Sequence, residues 1–144
     1  MYAKIKLTFM KNAGFTLTEM IIVVITLGVV AGFALPSYTK ALQKARERDA
    51  ITQLAVIHAA NTLYRSRVGT YYVNPSGTVN DINTNLGISI IPGDNTYTYS
   101  SNDGTTFTAS ATDGNYTIEA DEGALINGTN PCCSGGSCRA TNDC

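Results

Sequence analysis

The sequence predicts an α+β chain: a long N-terminal α-helix whose C-terminal half packs on a small antiparallel β-sheet. Three observations predict it. From Phe15 to Tyr38 the chain is apolar apart from one ionisable residue, Glu19. Beyond Pro36, Tyr38, Ala41, Leu42 and Ala45 recur at i, i+3, i+4 and i+7, and no helix breaker follows until Gly69. Between residues 96 and 120, short segments alternate apolar with Thr or Ser and are separated by Asp-Gly turns.

The apolar run fits a helix that crosses a bilayer, for which about 20 residues suffice. Met20 to Leu35 carries no charge and is apolar all round, whereas a core helix of a small domain needs only one apolar stripe. Lys4, Lys6 and Lys11 precede it without an acid, which keeps the start in the cytoplasm and sends the remainder outside. Glu19 is costly in such a segment, so it is expected to be paired or functional rather than merely to snorkel to the interface. Gly28 and Gly32 each weaken a helix by about 1 kcal/mol relative to Ala, and Pro36 removes a backbone hydrogen bond. These three are read as softening the helix, in preference to Gly28-x-x-x-Gly32 serving as a close-packing dimer face.

The second helical stretch continues through Ile51, Leu54, Ala55, Ile57, Ala59, Ala60 and Leu63. Lys44, Arg46, Glu47 and Asp49 are expected on its exposed side, paired three apart. A helix running from Phe15 to about Arg67 is longer than a globule of this size needs, so its first half must find partners elsewhere. Asn74-Pro75-Ser76-Gly77 reads as a turn, and Ile88 to Gly93 as a short strand or a loop anchor. Three strands then form a meander, with Tyr97, Tyr99, Phe107, Ala109, Tyr116 and Ile118 on the face toward the helix. The other face is mostly Thr and Ser.

Charge divides the chain. Residues 1–67 hold nine Lys/Arg against Glu19, Glu47 and Asp49, while residues 68–144 hold Arg139 alone against eight acids. No basic run is interleaved with exposed aromatics, so no specific nucleic-acid partner is predicted. All four cysteines lie in the last thirteen residues. In an extracytoplasmic tail an even number of cysteines favours disulfides over a zinc site, whose usual Cys-x-x-Cys pair is missing. Bridging the adjacent Cys132 and Cys133 closes a strained ring. That leaves Cys132–Cys138 with Cys133–Cys144, or Cys132–Cys144 with Cys133–Cys138.

Catalysis finds little support. His58 is the only histidine and is read as a core-edge or contact residue, and neither a phosphate loop nor a metal-spaced cluster is apparent. Asp121-Glu122-Gly123 reads as a solvated acidic loop in preference to a calcium site. Asn115-Tyr116-Thr117 and Asn127-Gly128-Thr129 match glycosylation sequons, a weak pattern. The aromatic residues are assigned to packing rather than to electron conduction. No enzyme activity and no cofactor are expected.

The string Lys11-Asn12-Ala13-Gly14-Phe15-Thr16-Leu17-Thr18-Glu19 resembles the processing signal of type IV pilins and type II secretion pseudopilins. Tyr64-Arg65 followed by Gly69-Thr70-Tyr71-Tyr72 is similar to the helix ending of that family. The resemblance implies cleavage between Gly14 and Phe15 by a prepilin peptidase that also N-methylates Phe15. It further implies that Glu19 neutralises the new α-amine of a neighbouring subunit; within one helix, Phe15 and Glu19 also stand i and i+4. The expected parts are a leader (1–14), a membrane and assembly helix (15–37), its amphipathic continuation (38–67), a head (68–131) and a cysteine-rich tail (132–144). The implied protein is a structural subunit that polymerises with copies of itself into an extracellular filament. Before assembly it is held in the inner membrane, and a platform protein and an ATPase assist assembly. Alternatives are a pseudopilin of a secretion system and a membrane-tethered binding protein or enzyme.

Overall fold

The computed structural model describes residues 14–126 and 129–144. The leader lysines and Asn127-Gly128 of the second sequon lie outside the described residues. The chain divides into two units, 1–38 and 39–144. One helix, α1 (Leu17–Val68), contributes to both, and Pro36 lies inside it.

Within the second unit α1 buries Glu47, Ala50, Leu54, Ile57 and Asn61, whose three- and four-residue spacing places them on one face. The face carrying Ala41, Leu42 and Ala45 is exposed. Gly69, at φ +95°, follows the last helical residue, and beyond it Arg65 donates from Nη1 to the Tyr71 hydroxyl (2.9 Å) and lies 4.7 Å above its ring.

The sheet is larger than the three strands read from the sequence. Five antiparallel strands run in sequence order: β1 (Asn74–Gly77), β2 (Thr96–Ser101), β3 (Thr108–Thr112), β4 (Tyr116–Asp121) and β5 (Cys132–Gly136). The Asn74-Pro75-Ser76-Gly77 stretch, expected as a turn, is an edge strand with an irregular register against β2. An edge tolerates Pro because one side of the strand has no ladder to feed. The tail supplies the other edge, with Ile118 opposite Cys133 and Tyr116 opposite Gly136. Gly136 has φ +80°, and a Cβ there would collide with the backbone of Asn115 and Tyr116.

A second helix, α2 (Val79–Leu86), follows β1 and has no counterpart in the sequence reading. Thr78 starts it, its N–H and hydroxyl both donating to Asp81 Oδ2 (2.9 and 2.7 Å). Those two bonds hold the Asp81 carboxyl below its ordinary range, the backbone bond contributing most. Gly87 closes the helix in the left-handed region (φ 66°). Asn83 then accepts from the Ile90 amide and donates to its carbonyl, so Ile88 to Gly93 is a loop anchored by buried Ile90 rather than a strand.

Alternation in β2 to β4 turns Tyr97, Tyr99, Ala109, Ala111, Tyr116, Ile118 and Ala120 inward, onto Ala50, Leu54 and Ile57 of α1. Phe107, just ahead of β3, stacks with Tyr99 and meets Tyr71 edge-on at 4.9 Å. Asn61 satisfies the polar part of this core: its Nδ2 donates to Tyr99 Oη (2.8 Å) and its Oδ1 accepts from the Tyr72 amide (3.0 Å). Tyr99 Oη donates in turn to the Tyr72 carbonyl (2.6 Å).

Glu47 departs most from expectation. Read as one of the exposed charges, it is fully buried, because its carboxylate receives the tail. The amides of Arg139 and Ala140 both donate to Oε2 at 2.6 Å, and Gln43 Nε2 donates to Oε1 at 2.8 Å. Arg46 is half-buried and pairs with Asp94 at 2.9 Å, not with a helix neighbour.

Burial also governs the tyrosines. It raises the Tyr99 phenol to about 12, and burial together with the nearby Asp113 carboxylate raises Tyr116 to about 12. Burial pushes Tyr97 up as well, with Asp49 adding to the shift. A phenol raised on folding contributes stability that is complete below its unfolded value of about 10 and lost as pH rises through the folded value. Absorbance titration at 295 nm should therefore show these three phenolates appearing only above the ordinary range, together with loss of near-ultraviolet dichroism. Gly136→Ala should lower the melting temperature of the full chain in detergent, whereas Gly135→Ala, where a Cβ meets only Thr117 at ordinary contact distance, should cost far less.

Candidate functional site: the exposed apolar helix and its capped start

Between Phe15 and Leu35, thirteen large apolar side chains are exposed; Phe15 is 75% and Phe33 77% accessible. Burying one such side chain is worth roughly 1.5–3 kcal/mol, so this surface withholds tens of kcal/mol from any state in which water alone covers it. Soluble monomers do not expose apolar patches of this extent. By length and composition the helix is able to cross a membrane. Thr26 does not interrupt the pattern, because its hydroxyl bonds back to the carbonyls of Ile22 and Val23 (3.0 and 2.9 Å). Its only polar hydrogen is thereby satisfied without water.

Gly14 and Phe15 precede the regular helix and are exposed. The Glu19 carboxylate binds Thr16 rather than Phe15. Thr16 donates to Glu19 Oε2 from both its backbone N–H (2.9 Å) and its hydroxyl (3.0 Å), and the Glu19 N–H donates back to Thr16 Oγ1 (3.2 Å). This is a capping box, in which a Thr and a Glu three residues apart satisfy amides that the first turn leaves open. The i, i+4 pairing with Phe15 requires a free α-amine, and while Gly14 is attached that nitrogen is an amide. The Thr-x-x-Glu spacing was the signal for Thr16, which sequence reasoning had passed over.

Gly28 and Gly32 lie in continuous helix, and a Cβ on either would meet open space. Neither is required by a close approach within the chain. His58 lies at the edge of the core: its Nε2 is 2.8 Å from the Gly123 carbonyl oxygen, and its ring is 5.8 Å from that of Phe107. Asp121 is engaged inside its own loop, accepting at Oδ1 from the Gly123 amide (2.8 Å) and from Asn130 Nδ2 (2.9 Å).

Of the two pairings left open by the sequence, the structure has Cys132–Cys144 and Cys133–Cys138, with Cα separations of 5.0 and 6.1 Å. Gln43, Glu47 and Arg139, which complete the attachment of the tail, carry no sequence motif. Their partners lie more than ninety residues away along the chain, and only the fold brings them together.

A family model described as "Type IV minor pilin ComP, DNA uptake sequence receptor" matches residues 36–135, more than two thirds of the chain. The type II secretion system core protein G of Vibrio cholerae serotype O1 is 31% identical over 67 residues, 46% of this chain and 46% of that protein. The type IV major pilin protein PilA of Myxococcus xanthus is 33% identical over 61 residues, 42% of this chain and 28% of that protein. The matched region is thus less than half the length of either relative. No solved structure matches the chain. An apolar helix that leads into a helix-backed antiparallel meander, together with the match across nearly the whole of that meander, has one reading: the chain belongs to the type IV pilin and pseudopilin family, its head on the ComP minor-pilin model.

Proposed function

We propose that the chain is a pilin precursor, cut between Gly14 and Phe15 by a prepilin peptidase and N-methylated at Phe15, that polymerises through residues 15–37 into a filament. The observation that carries this reading is the apolar surface from Phe15 to Leu35, which is exposed all round. A bilayer covers such a surface before assembly, and the same helix in neighbouring copies covers it afterwards, so apolar contact is exchanged rather than lost. The inner membrane is the first environment. A platform protein and an ATPase supply the work of extraction.

Glu19 acts at the exchange. In the precursor the Thr16 donors hold its carboxylate. Cleavage creates an ammonium at Phe15, a stronger partner than a neutral amide, and the carboxylate of a neighbouring copy neutralises it. That pairing sets the axial register of each incoming subunit. Gly28, Gly32 and Pro36 let the helix lose hydrogen bonds locally where copies pack.

A pseudopilin of a secretion system is the second reading, favoured by the likeness to the Vibrio secretion protein. DNA reception, named in the description of the matched model, is not carried over to this chain. Residues 39–144 hold seven Lys/Arg against ten Asp/Glu, and the one cation beyond α1, Arg139, donates to Gln43. A polyanionic duplex needs a cationic surface.

Glu19→Ala should leave membrane insertion intact and abolish or greatly reduce filaments seen by negative stain. Normal filament yield would overturn the assembly role of Glu19, and a harmless Glu19→Leu would point to a simple tether. Mass analysis of the N-terminus should find methylated Phe15 on a chain shortened by fourteen residues. Fibres extending from the cell surface select the pilus over the short periplasmic pseudopilus.

A further inference from the structure

We propose that residues 137–140 form an oxidation-dependent latch: the two disulfides hold the consecutive amides of Arg139 and Ala140 against the buried Glu47 carboxylate, so the head closes on α1 only once both bonds exist.

Glu47 is fully buried, and among the described residues no Lys, Arg or His forms an ion pair with it. Its charge is met by neutral donors: the Arg139 and Ala140 amides and Gln43 Nε2. Successive backbone amides pointing at one anion form a nest, which functions only while the local chain keeps its shape. Gln43 completes the clamp by donating to the Ser137 carbonyl (2.8 Å) and accepting from Arg139 Nε (2.7 Å). Every donor from the tail therefore depends on where residues 137–140 are held.

Apart from Cys138, which packs partly buried against the core, and one backbone bond from the Ser137 N–H to the Asn115 carbonyl, side-chain packing holds that segment weakly. Ser137 and Arg139 are exposed, and Ala140 offers only a methyl group. Cys133–Cys138 ties the segment to β5 immediately before the nest, and Cys132–Cys144 ties it again after. Backbone bonds from Cys133 N to Asn142 O and from Cys144 N to Cys133 O lie inside the same closed loop. Without the covalent ties, a chain containing Gly135, Gly136 and Ser137 gains conformational freedom on leaving, and Glu47 is left with Gln43 alone. A buried carboxylate so deprived takes up water, which opens the packing of α1 against β4.

Each bond forms when two thiols surrender two protons and two electrons to the disulfide of a thiol oxidant. The reaction passes through a mixed disulfide, and the oxidant departs as a dithiol. The compartment in which this happens follows from the filament reading above. The latch itself does not, and its test needs no filament.

The test uses the full chain in detergent, oxidised or treated with a phosphine reductant. In the oxidised wild type, the Arg139 and Ala140 amides should exchange slowly with deuterium. Reduction should accelerate both by roughly tenfold or more, extend the acceleration to the α1 amides around Glu47, and lower the melting midpoint. In Glu47→Gln, which keeps an acceptor but has no charge to hydrate, the drop in midpoint on reduction should be less than half that of the wild type. Slow exchange at Arg139 and Ala140 after complete reduction would overturn the latch, as would an equal drop in midpoint in both proteins. If Glu47→Gln does not fold, the wild-type exchange comparison decides alone.

Discussion

One helix must satisfy two incompatible surroundings, and the rest of the structure follows from that constraint. Between Phe15 and Leu35 its large side chains are apolar and exposed in every direction. Between Glu47 and Asn61 it buries a single stripe and leaves Val56 facing out. The first part has no inside, so something other than this chain must cover it. The second part is an ordinary amphipathic helix that serves as the backing of a sheet. The proposed function uses this division, because there the same element exchanges lipid for neighbouring copies while its head stays folded.

The head is built to stay folded on little material. From α1 its core takes the fully buried Leu54, Ile57 and small Ala50, with Ile51 partly buried against them. It compensates with a connected set of rings, Tyr71, Tyr99 and Phe107; Arg65 donates to the Tyr71 hydroxyl, and Asn61 and the Tyr72 carbonyl engage that of Tyr99. Aromatic residues bury much area for little lost rotamer freedom, but each hydroxyl must find a partner. A buried Asn on the helix is the means here. The same economy appears at Glu47, where one carboxylate, with Gln43 beside it, ties residues 137–140 of the tail to the helix.

The two capped carboxylates differ in what they hold. Glu19 holds the start of its own helix through Thr16, three residues away, and that local bond is available to a chain that has not met a partner. Glu47 holds a segment more than ninety residues distant, so its bond exists only after the sheet has formed. The local contact is exchangeable, which suits the change of partner proposed above for Glu19. The distant one is enclosed, with a disulfide on either side of the segment it holds.

The sequence by itself determined the features that depend on local periodicity or on composition. An uncharged run of helical length, a Gly69 break, and period-two segments between Asp-Gly turns fix α1 and β2 to β4, because each signal is complete within a few residues. Clustering of an even number of cysteines in the tail favoured disulfides, and the strain of bridging adjacent Cys132 and Cys133 narrowed them to two pairings. Only the tertiary structure decided between those pairings, turned the tail into β5, made an edge strand of Asn74 to Gly77 and buried Glu47. A strand at a sheet edge needs a partner before it has a pattern: Pro75 disguises one edge as a turn, and Gly135 and Gly136 leave the other without a strand pattern. Glu47 was misplaced for the same reason: a carboxylate among charged neighbours reads as exposed until the fold brings two amides to it. Local chemistry predicts which residues seek water, but whether a polar group is buried depends on donors that only the complete chain supplies.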